Sequence, residues 1–171
     1  GKNEETAEKI KYLSEYFRGE MLIGAGTVVT KEQAELAKRA GARFIISPDT
    51  NVSVIRRTRE LGMVSIPGAL TPSEIRTAHT AGADFVKLFP ITSLGADYVK
   101  AVRAPLSDVE LLAVGGINEN NMGEYLKAGI SGFGIGSNIA NKKMIENGEW
   151  GEITELAKTY KEALCAALNE K

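Results

Sequence analysis

Residues 111–137 read LLAVGGINENNMGEYLKAGISGFGIGS, and this stretch decides the fold. Two short apolar runs, 111–116 and 132–137, close on glycine or serine, and the amphipathic segment 119–128 lies between them. Asn118 precedes that segment as a helix cap, and Gly129 follows it as a helix stop. Strand, helix and strand in this order make a βαβ unit. Neither run alternates cleanly, which means burial on both faces, as in a parallel sheet covered by helices.

The same unit recurs toward the N-terminus with a period of about 20–26 residues. Further apolar runs occupy 21–26, 43–48, 64–68 and 85–90, and amphipathic segments occupy 31–40, 51–61, 72–81 and 96–104. Thr30 and the Thr71-Pro72-Ser73-Glu74 sequence are start signals, while Gly41, Gly62 and Gly82 are stops. Helices are expected over 4–17 at the start and 151–168 at the end. No linker interrupts the pattern, so residues 1–171 read as one domain: a helix followed by six βα units.

Repeated βα units form an open doubly wound sheet or a closed (β/α)8 barrel of the TIM type. Gly24-Ala25-Gly26-Thr27-Val28-Val29 has the first two glycines of a dinucleotide-binding turn and lacks the third. Barrels instead often hold phosphate in the loops after strands seven and eight. Val114-Gly115-Gly116-Ile117 and Gly134-Ile135-Gly136-Ser137 suit those two loops. On that count 21–26 is strand three, and the first strand, first helix and second strand have no counterpart in these residues. The expected architecture is therefore an α/β barrel, N-terminally incomplete, with an open six-stranded sheet as the alternative.

Composition narrows the function. The 21 Lys+Arg against 22 Asp+Glu give a net charge of −1, without the cationic surface that nucleic acid requires. No apolar stretch approaches the roughly 20 residues that span a bilayer, and no signal segment opens the chain. The single cysteine, Cys165, cannot form an intrachain disulfide, so a cytoplasmic setting is expected. The 18 glycines exceed the roughly 7% of an average protein and gather at the ends of the apolar runs.

Lys87, in Asp84-Phe85-Val86-Lys87-Leu88-Phe89-Pro90, is the leading chemical candidate. If Val86 and Leu88 pack against helices, Lys87 faces the barrel interior, where burial lowers its pKa and yields the neutral amine that attacks carbonyls. A strand lysine can also snorkel or bind phosphate, and the surrounding strand-end pattern favours the nucleophile. Thr27, Ser47, Pro48, Pro67 and Ser137 also fall at strand ends, where barrel active sites lie. Thr27 could alternatively cap a helix, a role for which Thr30 is better placed. Pro48 and Pro67 could simply terminate strands. Gly115-Gly116 and Gly136-Ser137 offer backbone N–H groups to an anion with no Cβ in the way. His79 reads as a mid-helix residue, Cys165 as a small packed hydrophobe and Trp150 as a staple for the last helix. No residue set has metal-ligand spacing, and the lone histidine leaves Ser-His-Asp chemistry unsupported.

Taken in order, Gly24-Ala25-Gly26-Thr27-Val28, Ile46-Ser47-Pro48, Ile66-Pro67-Gly68, Phe85-Val86-Lys87-Leu88-Phe89-Pro90, Gly115-Gly116-Ile117 and Gly134-Ile135-Gly136-Ser137 resemble the KDPG/KHG aldolase family. KDPG is 2-keto-3-deoxy-6-phosphogluconate and KHG is 2-keto-4-hydroxyglutarate. The resemblance implies a cofactor-free class I aldolase on a (β/α)8 barrel, usually trimeric, that cleaves a small keto acid phosphate to pyruvate and an aldehyde. It implies Lys87 as the Schiff-base lysine, Thr27, Pro48 and Phe89 around pyruvate, and Gly115, Gly116, Gly136 and Ser137 around phosphate. Two departures follow from it. The family commonly has Thr before the paired glycines, where this chain has Val114. The family's acid/base Glu and substrate-binding Arg belong to strand two, which predicts impaired turnover here, and Glu4, Glu5 and Glu8 are not substitutes. The competing readings are a thiamine-phosphate synthase-like barrel enzyme and a non-catalytic phosphate-binding scaffold.

Overall fold

Parallel strands need a crossover between them, and each crossover in this chain is a helix whose ends are written in its caps. A computed structural model of the chain describes residues 1–169, and it is α/β with parallel strands. The chain forms two compact units, Gly1–Lys87 and the residues from Leu88 onward.

The first unit runs α1 (Lys2–Phe17), β1 (Gly24–Gly26), α2 (Lys31–Arg39), β2 (Phe44–Ile46), α3 (Val52–Glu60), β3 (Val64–Ile66), β4 (Gly68–Ala69) and α4 (Pro72–Thr80), and reaches into β5 (Val86–Leu88). β1, β2 and β3 are neighbours in that order, with Gly26 level with Ile46 and Ile46 level with Ile66. Capping boxes open α2 and α4. Thr30 Oγ1 accepts from Gln33 N–H while Gln33 Oε1 accepts from Thr30 N–H; Thr71 and Glu74 repeat the exchange. Backbone bonds from Thr71 and Leu70 hold the Glu74 carboxyl below its usual 4.5, so it stays ionised at the positive end of α4. Ala34 and Ala37 of α2 and Val54 of α3 pack with Ile10, Ala25 and Ile45 in the core of this unit.

The second unit contains α5 (Gly95–Arg103), β6 (Leu111–Val114), α6 (Met122–Lys127), β7 (Gly132–Gly134), α7 (Lys142–Glu146) and α8 (Trp150–Asn169). β6 and β7 pair in parallel with Val114 level with Gly134. Val99, Leu111, Ala113, Met122 and Ile130 are buried within it.

Several expectations need correction. The run 64–68 is two strands, because Pro67 has no N–H to continue a ladder. α6 starts at Met122 and not at 119: the Asn118 side chain accepts from the N–H groups of Asn120 and Asn121 and forms a turn first. The short α7, opened by Asn141 accepting from Met144 N–H, was not expected. Trp150 is the first residue of α8 and is 61% exposed, so it staples nothing. Cys165 is exposed, because α8 buries only Tyr160 among its described residues. His79 stands in the last turn of α4 and not at its middle.

Two positions in the first unit carry opposite steric and polar errors for mutation to expose. A Cβ on Gly68 would stand 2.3 Å from the Pro48 carbonyl oxygen, a backbone atom, while Thr50 Oγ1 donates to Gly68 O at 2.7 Å. Thr58 is fully buried and its hydroxyl has no hydrogen-bond partner. Gly68→Ala should therefore destabilise by about 1–3 kcal/mol through overpacking. Thr58→Val should stabilise by roughly 1–2 kcal/mol, since it removes an unsatisfied buried hydroxyl at constant shape. Denaturant melts of both variants check the two signs.

Candidate functional site

Three backbone hydrogen bonds carry one row across the ends of the strands in the first unit. Val28 N–H donates to Ile46 O (3.3 Å), Ser47 N–H to Ile66 O (3.2 Å) and Lys87 N–H to Pro67 O (2.8 Å). Thr27 and the Ser47-Pro48 pair follow the last residues of β1 and β2, and Lys87, the middle residue of β5, is bonded to Pro67 just beyond β3. Thr27 and Pro48 are exposed, whereas Ser47 and Pro67 are buried.

Side chains alternate along β5. Val86 and Leu88 are fully buried, and Lys87 between them is half-buried on the opposite face. Desolvation is the cause that pushes the Lys87 ammonium below its usual 10.5, since burial penalises the charged form. That shift enlarges the share of neutral amine near neutral pH. Glu4 and Glu5 are otherwise engaged in α1, with the N-terminal amine at 2.9 Å and Lys9 at 2.6 Å respectively.

Thr27 has an unusual backbone. Its φ of 59° lies in the left-handed region, which is rare for a β-branched residue. The turn that follows is clamped: Ser47 Oγ donates to Val28 O at 2.7 Å, and Val29 N–H donates to Gln33 Oε1 at 2.8 Å.

The second unit holds the glycine turns. Phe89, 37% exposed, follows β5 directly, and Ile91 N–H donates to Val114 O at 3.2 Å. Gly115 and Gly116 take φ values of 99° and 69°, which a side chain would strain. Thr92 fills the space beside them: a Cβ on Gly116 would stand 2.9 Å from Thr92 Oγ1. Asn121 Nδ2 donates to Gly116 O at 2.9 Å, and Asn138 Nδ2 to Ile117 O at 2.8 Å, tying the loop after β7 to the loop after β6. Gly136 and Ser137 are exposed and open on a cavity of about 710 Å³ that also takes in Lys142. A Cβ on Gly136 would meet nothing within 4 Å.

Sequence reasoning missed Thr92, Asn138 and Lys142 as parts of this region. Thr92 stands two residues beyond Phe89-Pro90, and Asn138 directly follows Gly136-Ser137, so motif adjacency was the available signal.

Comparison with known proteins identifies the family. The family model "KDPG and KHG aldolase" matches residues 2–156. The chain is 35% identical to 2-dehydro-3-deoxy-6-phosphogalactonate aldolase of Escherichia coli (strain K12) over 158 residues, 92% of this chain and 77% of that protein. It superposes on the native KDPGal structure with a TM-score of 0.87 at 34% identity, over 94% of this chain and 76% of the other. It also superposes on KDPG aldolase from Legionella pneumophila, solved with pyruvate captured as a covalent carbinolamine intermediate. That match has a TM-score of 0.81 at 34% identity, over 88% of this chain and 73% of the other. The fold is thus of the TIM-barrel type, the activity is that of a class I aldolase, a carbon–carbon lyase, and the chain belongs to the KDPG and KHG aldolase family.

Proposed function

We propose that the chain cleaves a 2-keto-3-deoxy-6-phospho sugar acid to pyruvate and glyceraldehyde 3-phosphate, with Lys87 as the nucleophile. The observation that carries this reading is a half-buried strand lysine whose pKa is lowered by desolvation. Lys87 Nζ adds to the C2 keto carbon to give a carbinolamine, which loses water to form an iminium ion. The C3–C4 bond then breaks, and its electron pair flows into the iminium to make an enamine. The C4 hydroxyl proton passes to water as the aldehyde leaves, a slower route than transfer to a positioned carboxylate. Protonation at C3 and hydrolysis of the imine return the amine and release pyruvate.

Thr27, Pro48 and Phe89 contact the pyruvate portion in this reading, and the N–H groups of Gly115, Gly116, Gly136 and Ser137 take the phosphate. The similarity to a phosphogalactonate aldolase and to the native KDPGal structure favours the galactonate-derived substrate over its C4 epimer from gluconate. Pyruvate-release assays on the two epimers test this: about tenfold higher kcat/KM for the galacto compound is expected. The reverse preference overturns the substrate assignment, and cleavage of neither together with no borohydride-trapped pyruvate overturns the reaction. Residues 1–171 act as one barrel domain in this reading, in a cytoplasmic homotrimer whose mass sedimentation equilibrium would read. No helix among the described residues is long and apolar enough to cross a membrane.

The amine makes two demands on experiment. Borohydride should fix pyruvate to the chain as a covalent adduct, and Lys87→Arg and Lys87→Ala should abolish it, since neither offers a neutral amine. The trapping rate should rise with pH and level off below 10.5, because Lys87 loses its proton earlier than an ordinary lysine. Intact mass against pH reads both; an adduct that persists in both variants places the nucleophile elsewhere.

Gly136 gives a clean test of the anion loop, because the space around its Cβ position is open and the fold should tolerate a side chain there. Gly136→Val should weaken phosphorylated substrate by about tenfold or more while leaving pyruvate trapping unchanged. Equal losses for the two ligands would remove the phosphate from this loop.

A further inference from the structure

A threonine at φ 59° is costly, and such a conformation persists only where its surroundings over-determine it. The surroundings are the two peptides that follow Thr27. Val28 N–H donates to Ile46 O at 3.3 Å, and Val28 O accepts from Ser47 Oγ at 2.7 Å. Val29 N–H donates to Gln33 Oε1 at 2.8 Å, and Val29 O accepts from Asn51 Nδ2 at 3.4 Å. The Gln33 and Asn51 bonds are exposed, and water can replace either side chain. Ser47 is 3% exposed, so no solvent can substitute for its hydroxyl. Ser47 is also held at its own backbone, through its N–H to Ile66 O, in the row that contains Lys87.

We infer that Ser47 is a positioning residue for the aldolase reaction: its buried hydroxyl grips the Val28 carbonyl and thereby keeps Thr27 in the left-handed conformation that presents it to the keto acid. The inference rests on the proposed contact between Thr27 and pyruvate. Ser47 touches no substrate; it acts through the Val28 peptide. Without the grip, Thr27 relaxes toward ordinary φ values and its side chain leaves the position set by β1.

A double-mutant cycle on the full chain tests the idea, with pyruvate trapping and melting temperature read in parallel. Ser47→Ala should weaken apparent pyruvate affinity about tenfold, the equivalent of one buried hydrogen bond. In a Thr27→Gly background the same change should alter pyruvate affinity by no more than about twofold. Glycine occupies the left-handed region unaided and needs no clamp. The fall in melting temperature should be the same in both backgrounds, because the bond itself is lost in both. Equal affinity losses in the two backgrounds overturn the inference and leave Ser47 a stabilising residue only. Ser47→Cys keeps the volume with a weaker donor and should fall between serine and alanine; wild-type affinity there at a lowered melting temperature also overturns it. Unchanged trapping by Thr27→Gly alone would instead defeat the Thr27–pyruvate contact, and this inference with it, while leaving Lys87 as the nucleophile.

Discussion

Parallel register is the constraint on which the first unit depends. Because β1, β2 and β3 run the same way, with Gly26, Ile46 and Ile66 level, each strand delivers the residues that directly follow it to the same end. Thr27, Ser47-Pro48 and Pro67 are those residues, and the bond from Lys87 N–H to Pro67 O adds the lysine to the row. Slipping one strand by a single residue would turn its side chains to the other face and scatter the set. The placement of Lys87 beside Pro67 is therefore fixed by a backbone hydrogen bond and needs no side-chain contact.

The proposed reaction places two conflicting needs on the burial of Lys87. Full exposure leaves the amine protonated near neutrality, and full burial leaves it unreachable by a keto acid. Alternation along β5 gives the intermediate state: Val86 and Leu88 take the core face, and the lysine takes the other with part of its stem desolvated. A strand suits this better than a helix, since strand period two separates reactive from core residues at every step.

What was legible in the sequence was whatever short-range chemistry controls. Thr30 with Gln33 and Thr71 with Glu74 mark their helix starts because the partners lie three residues apart. Lys87 stood out because its immediate neighbours are apolar. The split of the third run at Pro67 is equally local, yet an apolar run masks its missing N–H. The turn at Asn118 was misread for a related reason: an asparagine that can cap a helix can equally bond the amides two and three residues on. The bond from Ser47 Oγ to Val28 O and the seat of Thr92 against Gly116 join residues 19 and 24 positions apart. No window along the chain contains that information.

The glycines separate by what stands against them. A Cβ on Gly24 would enter the Phe44 ring at 2.3 Å, one on Gly68 the Pro48 carbonyl, and one on Gly116 the Thr92 side chain. Internal packing explains each of these. Gly136 differs: nothing in the molecule crowds its Cβ position, yet the residue sits in a loop fastened through Asn138 to Ile117 O and opens on a cavity. Packing does not account for a glycine there. The proposed phosphate, bound by main-chain N–H groups, would need a backbone left open in this way.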